Sequence, residues 1–217
     1  MRRIGLLLLA LLPSQIKILL YRWLLGWEIG NRVYIGLSFI DAKRVVIGDD
    51  VRIGHFNRFQ HIPKLEIRDK TVMGNRNTFA TVPASSFAVI EDADPSLYIG
   101  KDCYIMTGHF FDVQAPLCLE NSVTIAGHGS TFWTHGLDYR RNRLVAKPIV
   151  IGENSYIGSH TLFVPGARIA PNSIVGMGAV VTRSFDEQYV LVAGSPARIV
   201  QHLDREASWF TRVRPPD

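Results

Sequence analysis

The chain has 217 residues, of which 47% are hydrophobic and 20% charged; that suits one core-bearing domain with a short appendage and excludes a disordered tail. Two cysteines, Cys103 and Cys118, exclude a disulfide scaffold and a cysteine metal knuckle, and fit a reducing compartment. The formal net charge of +5 is lopsided: four bases (Arg2, Arg3, Lys17, Arg22) and no acid precede Glu28, leaving twenty bases against nineteen acids in the rest. A body so near neutrality has no footprint for a phosphate backbone, so nucleic acid is not an expected partner.

Residues 1–28 read as an apolar, basic helical segment. An apolar run from Ile4 to Leu12 is closed by Pro13, and Ile16, Leu19, Leu20, Leu24 and Trp27 then recur at helical spacing around Lys17 and Arg22. The run is too short to cross a bilayer, and joining the halves would place Pro13 to Lys17 in mid-membrane. No small-x-small cleavage site follows, so a signal peptide is not expected. Two readings stay open. One is an interfacial anchor on an anionic leaflet, with Trp23, Trp27 and the bases at headgroup level. The other is a helix pair that caps the domain or packs in an oligomer interface.

From residue 29 to about 192 a six-residue unit repeats, an aliphatic residue followed by a small one, as in Ile47-Gly48-Asp49-Asp50-Val51-Arg52. Equivalent starts fall at Ile47, Ile67, Ile99, Leu119, Ile151 and Ile169, with intervals of 20, 32, 20, 32 and 18 residues. Three such units make one triangular coil of about 18 residues with the aliphatic side chains inward, and stacked coils pair as parallel ladders. Insertions near 80–98 and 132–148 interrupt the coils, and long loops on a regular solenoid carry function or cover an edge. Cys103 falls at an inward position and reads as a small core residue. Residues 193–217 read as a cap that ends in a short helix reaching about Ala207.

The second insertion holds Thr134-His135-Gly136, with Trp133 before it and Asp138-Tyr139-Arg140-Arg141-Asn142-Arg143 after it. His135 lies in a polar, glycine-hinged setting, and a near-neutral imidazole is suited to take a proton from an acceptor hydroxyl. Thr134-His135, Lys147-Pro148-Ile149, Ile151-Gly152-Glu153-Asn154-Ser155-Tyr156-Ile157-Gly158-Ser159-His160, Gly176-Met177-Gly178-Ala179-Val180-Val181-Thr182-Arg183 and Gly194-Ser195-Pro196-Ala197-Arg198 together resemble the hexapeptide-repeat acyltransferases, in their galactoside and maltose O-acetyltransferase branch. The resemblance covers roughly residues 29–200. It implies a mainly β fold, a left-handed parallel β-helix of hexapeptide coils, and a homotrimer with sites at the subunit interfaces.

It further implies direct attack of a sugar hydroxyl on acetyl-CoA, with His135 as general base and the Ser159 backbone N–H stabilising the oxyanion. Tyr156, Ser159, Met177, Thr182, Arg183 and Arg198 are the implied coenzyme contacts; arginine suits the phosphates of CoA. Three departures accompany the match. Tyr156 replaces a family Trp, the family's substrate-binding Asn and Asp have only His109 or Asp112 as candidates, and the apolar segment replaces a shorter helical cap. His128, Trp133 and Asp138 are further candidate substrate contacts, whereas His55, His61 and His202 read as surface residues.

The expected function is an acetyl-CoA-dependent O-acetyltransferase acting on a saccharide hydroxyl, in cell-envelope polysaccharide or lipid-linked glycan synthesis. Its expected place is cytoplasmic, peripheral on the inner face of the cytoplasmic membrane, through residues 1–28. The alternatives are an N-acyltransferase on an amino sugar and a non-enzymatic trimeric β-helix scaffold. A zinc enzyme like the γ-class carbonic anhydrases would need a His-x4-His pair; successive histidines here are 6, 48, 19, 7, 25 and 42 residues apart, so no metal is expected.

Overall fold

In the computed structural model, residues 2–82 and 90–212 are described, Arg2 by its backbone alone; the middle of the first insertion and the end of the cap segment lie outside them. Seven coils stack with three inward columns. The first runs Ile29, Ile47, Ile67, Ile99, Leu119, Ile151, Ile169, each residue in parallel register with the next. This is the series of repeat starts. The second face carries Ile35, Ile53, Met73, Ile105, Ile125, Ile157 and Val175. The third carries Ile40, Phe59, Phe79, Phe111, Phe132, Phe163 and Val181. The fold is a mainly β, parallel β-helix with helices at its N-terminus and a short one near its C-terminus.

The five phenylalanines stack with ring centroids 4.4–4.7 Å apart and planes within 6–11° of parallel. The strand spacing of a parallel ladder, about 4.8 Å, sets that separation. Each ring is fully buried, and burial of each side chain is worth roughly 2–3 kcal/mol.

A second column lies at the corner between the second and third faces: Ser38, Asn57, Asn77, His109, Ser130 and Thr161, all buried. Each side chain but the last accepts the backbone N–H of the next member, at 2.9–3.2 Å. A corner has no regular ladder, so these side chains satisfy amides that would otherwise be buried without a partner. Cys103 occupies the neighbouring corner as a buried thiol whose Sγ contacts the Glu120 carbonyl at 3.1 Å.

Helices α1 (Arg2–Ala10) and α2 (Ser14–Leu25) close the N-terminal end. The first coil has no predecessor, so its outer backbone groups need other partners. Lys17 Nζ donates to the Gly36 carbonyl at 2.5 Å, Arg22 Nη2 donates to those of Ile29 and Gly30, both at 2.6 Å, and Ser14 Oγ accepts the Ile35 N–H at 2.9 Å. Trp27 is buried against Tyr21, ring centroids 4.4 Å apart. The expectation that Lys17, Arg22 and Trp27 face lipid headgroups is therefore corrected: all three are used by the cap. The outer faces of both helices remain apolar. Ile4, Leu7, Leu8, Leu11, Ile16, Leu19 and Leu24 are exposed, as is Trp23 at 79%. No helix among the described residues is long and apolar enough to cross a membrane.

The C-terminal end differs from expectation. Val190–Gly194 and Ala197–His202 form an antiparallel hairpin that extends the second face, where a helix to about Ala207 was expected. Alternating burial of Val190, Val192 and Ala197 against the last coil favours the strand. The short helix, α3, follows at Ser208–Thr211.

Candidate active site

Both insertions leave the third face at its corner with the first. After Phe132 and Trp133 the second insertion forms an antiparallel hairpin, His135–Asp138 with Arg143–Ala146. Arg141 and Arg143 both pair with Glu91, at 2.7 and 3.3 Å, and Glu91 bridges Val145 along the backbone. The return of the first insertion thus clamps the hairpin that carries His135, a contact not foreseen from the sequence.

His135 lies at the hairpin's base, half-buried, with its Nδ1 2.9 Å from Asp112 Oδ2. The same carboxylate oxygen accepts the N–H of Thr134 at 2.9 Å, its hydroxyl at 2.8 Å and the N–H of His135 at 3.1 Å. Thr134 Oγ1 in turn accepts the Gln114 N–H at 2.8 Å. Asp112 is therefore held by four donors from two residues. The Asp112 hydrogen bond holds the His135 pKa above its ordinary value, against an opposing effect of burial, and the carboxylate charge adds to the rise. With Nδ1–H fixed on Asp112, Nε2 is the nitrogen left to exchange a proton with a ligand. Trp133 stands beside His135, ring centroids 6.2 Å apart, and Phe110 packs on Trp133 at 5.0 Å.

The other sequence candidates fall elsewhere. Asp112, read as a substrate contact, instead orients His135. His109 is a rung of the buried corner column: its Nδ1 accepts the Ser130 N–H at 3.2 Å, and burial, aided by His128, pushes its pKa down to about 4. His128 meets His160 edge to face, ring centroids 4.5 Å apart, at that same corner, across the third face from His135. Asp138 closes the hairpin turn by accepting the N–H groups of Arg140 and Arg141.

Ser159 and Met177 also lie at the second-to-third corner. The Ser159 side chain rests against Gly127, where a Cβ would come within 1.6 Å of its Oγ, so only glycine fits there. Among the described residues the Ser159 N–H has no hydrogen-bond acceptor, while its carbonyl takes the Gly178 N–H. Thr182 and Arg183 follow the last strand of the third face, on His135's side; both are exposed, with the Arg183 guanidinium 5.1 Å from the Phe185 ring. Tyr156 lies on the second face beneath Trp209, ring centroids 5.4 Å apart, and Arg198 is exposed on the C-terminal hairpin. Within one chain Ser159 and Met177 therefore lie at one edge of the third face and Thr182 and Arg183 at the other, while Tyr156 and Arg198 lie on the second face and its hairpin extension. No group of three His, Cys, Asp or Glu among the described residues could hold a metal ion.

In its coils and in this part of its sequence the chain is similar to the hexapeptide-repeat acyltransferases. Residues 148–183 match the family described as bacterial transferase hexapeptide (six repeats). The chain is 26% identical over 160 residues to the galactoside O-acetyltransferase of Escherichia coli K12, covering 69% of this chain and 76% of that protein. Among solved structures, an N-acyltransferase from Bacillus cereus in complex with dTDP and 3-hydroxybutyryl-CoA aligns with TM-score 0.56 at 14% identity, over 89% of this chain and 90% of that one. A Vibrio cholerae hexapeptide-repeat acetyltransferase complexed with acetyl-CoA aligns with TM-score 0.49 at 21% identity, over 92% and 84%.

Proposed function

We propose that this protein is an acetyl-CoA-dependent O-acetyltransferase acting on a saccharide hydroxyl, with His135 as general base. The observation that carries the reading is the Asp112–His135 pair at 2.9 Å, which fixes one imidazole nitrogen and leaves the other for the acceptor. His135 Nε2 takes the hydroxyl proton as the oxygen attacks the thioester carbonyl. The tetrahedral oxyanion is stabilised by the free Ser159 N–H, and the departing thiolate recovers its proton from the His135 imidazolium. The similarity to a galactoside O-acetyltransferase supports the sugar hydroxyl as acceptor.

Ser159 and Met177 lie on one edge of the third face, His135, Thr182 and Arg183 on the other. A homotrimer that sets one copy's edge against the next copy's would bring them together, which supports a shared interfacial site. The exposed apolar faces of α1 and α2 support peripheral contact with the inner face of the cytoplasmic membrane, and with it a lipid-linked acceptor.

The test is CoA release from acetyl-CoA with galactosides, amino sugars and lipid-linked saccharides. His135→Ala should lower turnover by about 10²–10⁴-fold and leave acetyl-CoA affinity unchanged. Undiminished turnover would remove His135 from the mechanism, and turnover on amines alone would favour N-acyl transfer.

A further inference from the structure

A groove of about 560 Å³ lies between α1 and the first two coils, and none of its lining residues belongs to the His135 hairpin. Its walls are chiefly apolar, from Leu7 of α1, Leu11 just after it, and Leu37, Phe39 and Phe56 of the coils. Leu7, Leu11, Leu37 and Phe56 are exposed, so the trough opens onto the apolar outer surface of the helices. Its charged groups differ in status. Asp41 is buried and lies 3.6 Å from Arg3 and 3.4 Å from His61. Arg58 is exposed and forms no ion pair among the described residues. A hydrocarbon trough with one unneutralised guanidinium at its side matches a single-chain amphiphile with an anionic head.

The position of the groove decides which amphiphile. Gln60, in its wall, is in register with Ala80 and then with Asp112, the partner of His135. Two coil spacings therefore separate groove and catalytic pair, about 10 Å. The column beside it runs Arg58, Thr78, Phe110, Thr131. On these two columns the third coil presents the small side chains of Thr78 and Ala80. This strip leads from the guanidinium to the Phe110–Trp133 wall beside His135.

We infer that the groove binds the hydrocarbon chain of the acceptor, a phosphate-linked lipid saccharide whose phosphate meets Arg58 and whose sugar reaches His135 along the third face. The inference rests on the proposed O-acetyl transfer and names its substrate class. Its first test does not depend on turnover: dodecyl phosphate, kept below its micelle concentration, is titrated into the full chain by calorimetry. Saturable binding of one molecule per chain is expected. Leu37→Gln with Phe56→Gln should weaken it tenfold or more and Arg58→Gln severalfold, while His135→Ala should not change it. No saturable binding, or binding indifferent to these changes, overturns the inference. Self-association that the Leu37 and Phe56 changes abolish would also overturn it, assigning the groove to a second copy of the chain.

The second test compares galactose linked to dodecyl phosphate with a free galactoside as acceptors in the CoA-release assay. The linked acceptor should have a KM at least tenfold lower. Leu37→Gln with Phe56→Gln should abolish that advantage and leave the free galactoside's kcat/KM unchanged. Equal KM values, with chain binding intact, would assign the groove to membrane lipid and overturn the acceptor role. If neither acceptor releases CoA, the proposed transfer fails while the binding result still reports on the groove.

Discussion

The carboxylate of Asp112 receives four hydrogen bonds from Thr134 and His135 at 2.8–3.1 Å, which sets both the orientation and the basicity of the imidazole. A raised pKa means that His135 stays protonated to higher pH than a free imidazole, so a general-base reaction should lose rate as pH falls through that raised value. Asp112→Asn keeps an acceptor oxygen but removes the charge. Turnover should drop by about 10²-fold or more, and the acid limb of the rate profile should move to lower pH. A limb that stays in place would show that the carboxylate does not tune His135. The histidine itself was legible from its polar, glycine-hinged surroundings. Its partner was not: Asp112 lies 23 residues earlier, and only the coil register places it alongside.

At the scale of elements, the corner column and the phenylalanine stack show why this repeat tolerates such varied residues. An inward position needs a side chain of suitable volume, whereas a corner position needs an acceptor for the next coil's amide. Asn57 and Asn77 supply it as amides, Ser38 and Ser130 as hydroxyls, and His109 as an imidazole. Histidine alone among them titrates near neutrality. Its pKa is near 6.5 when unfolded and about 4 in the fold, so its contribution to stability is present above pH 6.5 and is lost as pH falls through 4. His109→Asn should retain the column and flatten the decline of Tm between pH 6.5 and 4. A decline as steep as in the parent protein would assign the acid sensitivity elsewhere.

For the whole molecule, the N-terminal cap reverses the usual arrangement of an amphipathic helix. Lys17 is buried and Arg22 reaches back from the surface, both to cap carbonyls of the first coil, while leucine, isoleucine and tryptophan side chains are exposed. Burial pushes the Lys17 pKa down to about 8, the cost of placing an ammonium where the coil ends. Membrane attachment through this surface should thus be driven by apolar area, with a weak dependence on salt. Leu19→Gln with Trp23→Gln should abolish co-sedimentation of the full chain with phosphatidylglycerol vesicles and leave its Tm nearly unchanged. Retained sedimentation would place the contact elsewhere, and sedimentation that collapses in moderate salt would point to bases instead.

The sequence by itself determined the coil. Its repeat starts, from Ile47 to Ile169, are the residues that pair in register, because an inward aliphatic position is a local property set by neighbours six residues away. It also marked the insertion and, in it, the histidine for which a general-base role is proposed. Tertiary structure alone decided which residues meet across coils. Insertions of unequal length shift the register by amounts that composition does not encode, so Asp112 reached His135 while His109 and His128 went to the opposite corner. Likewise, the direction of Lys17 and Arg22 followed from the unmatched carbonyls of the first coil, a demand that exists only once the prism has an end.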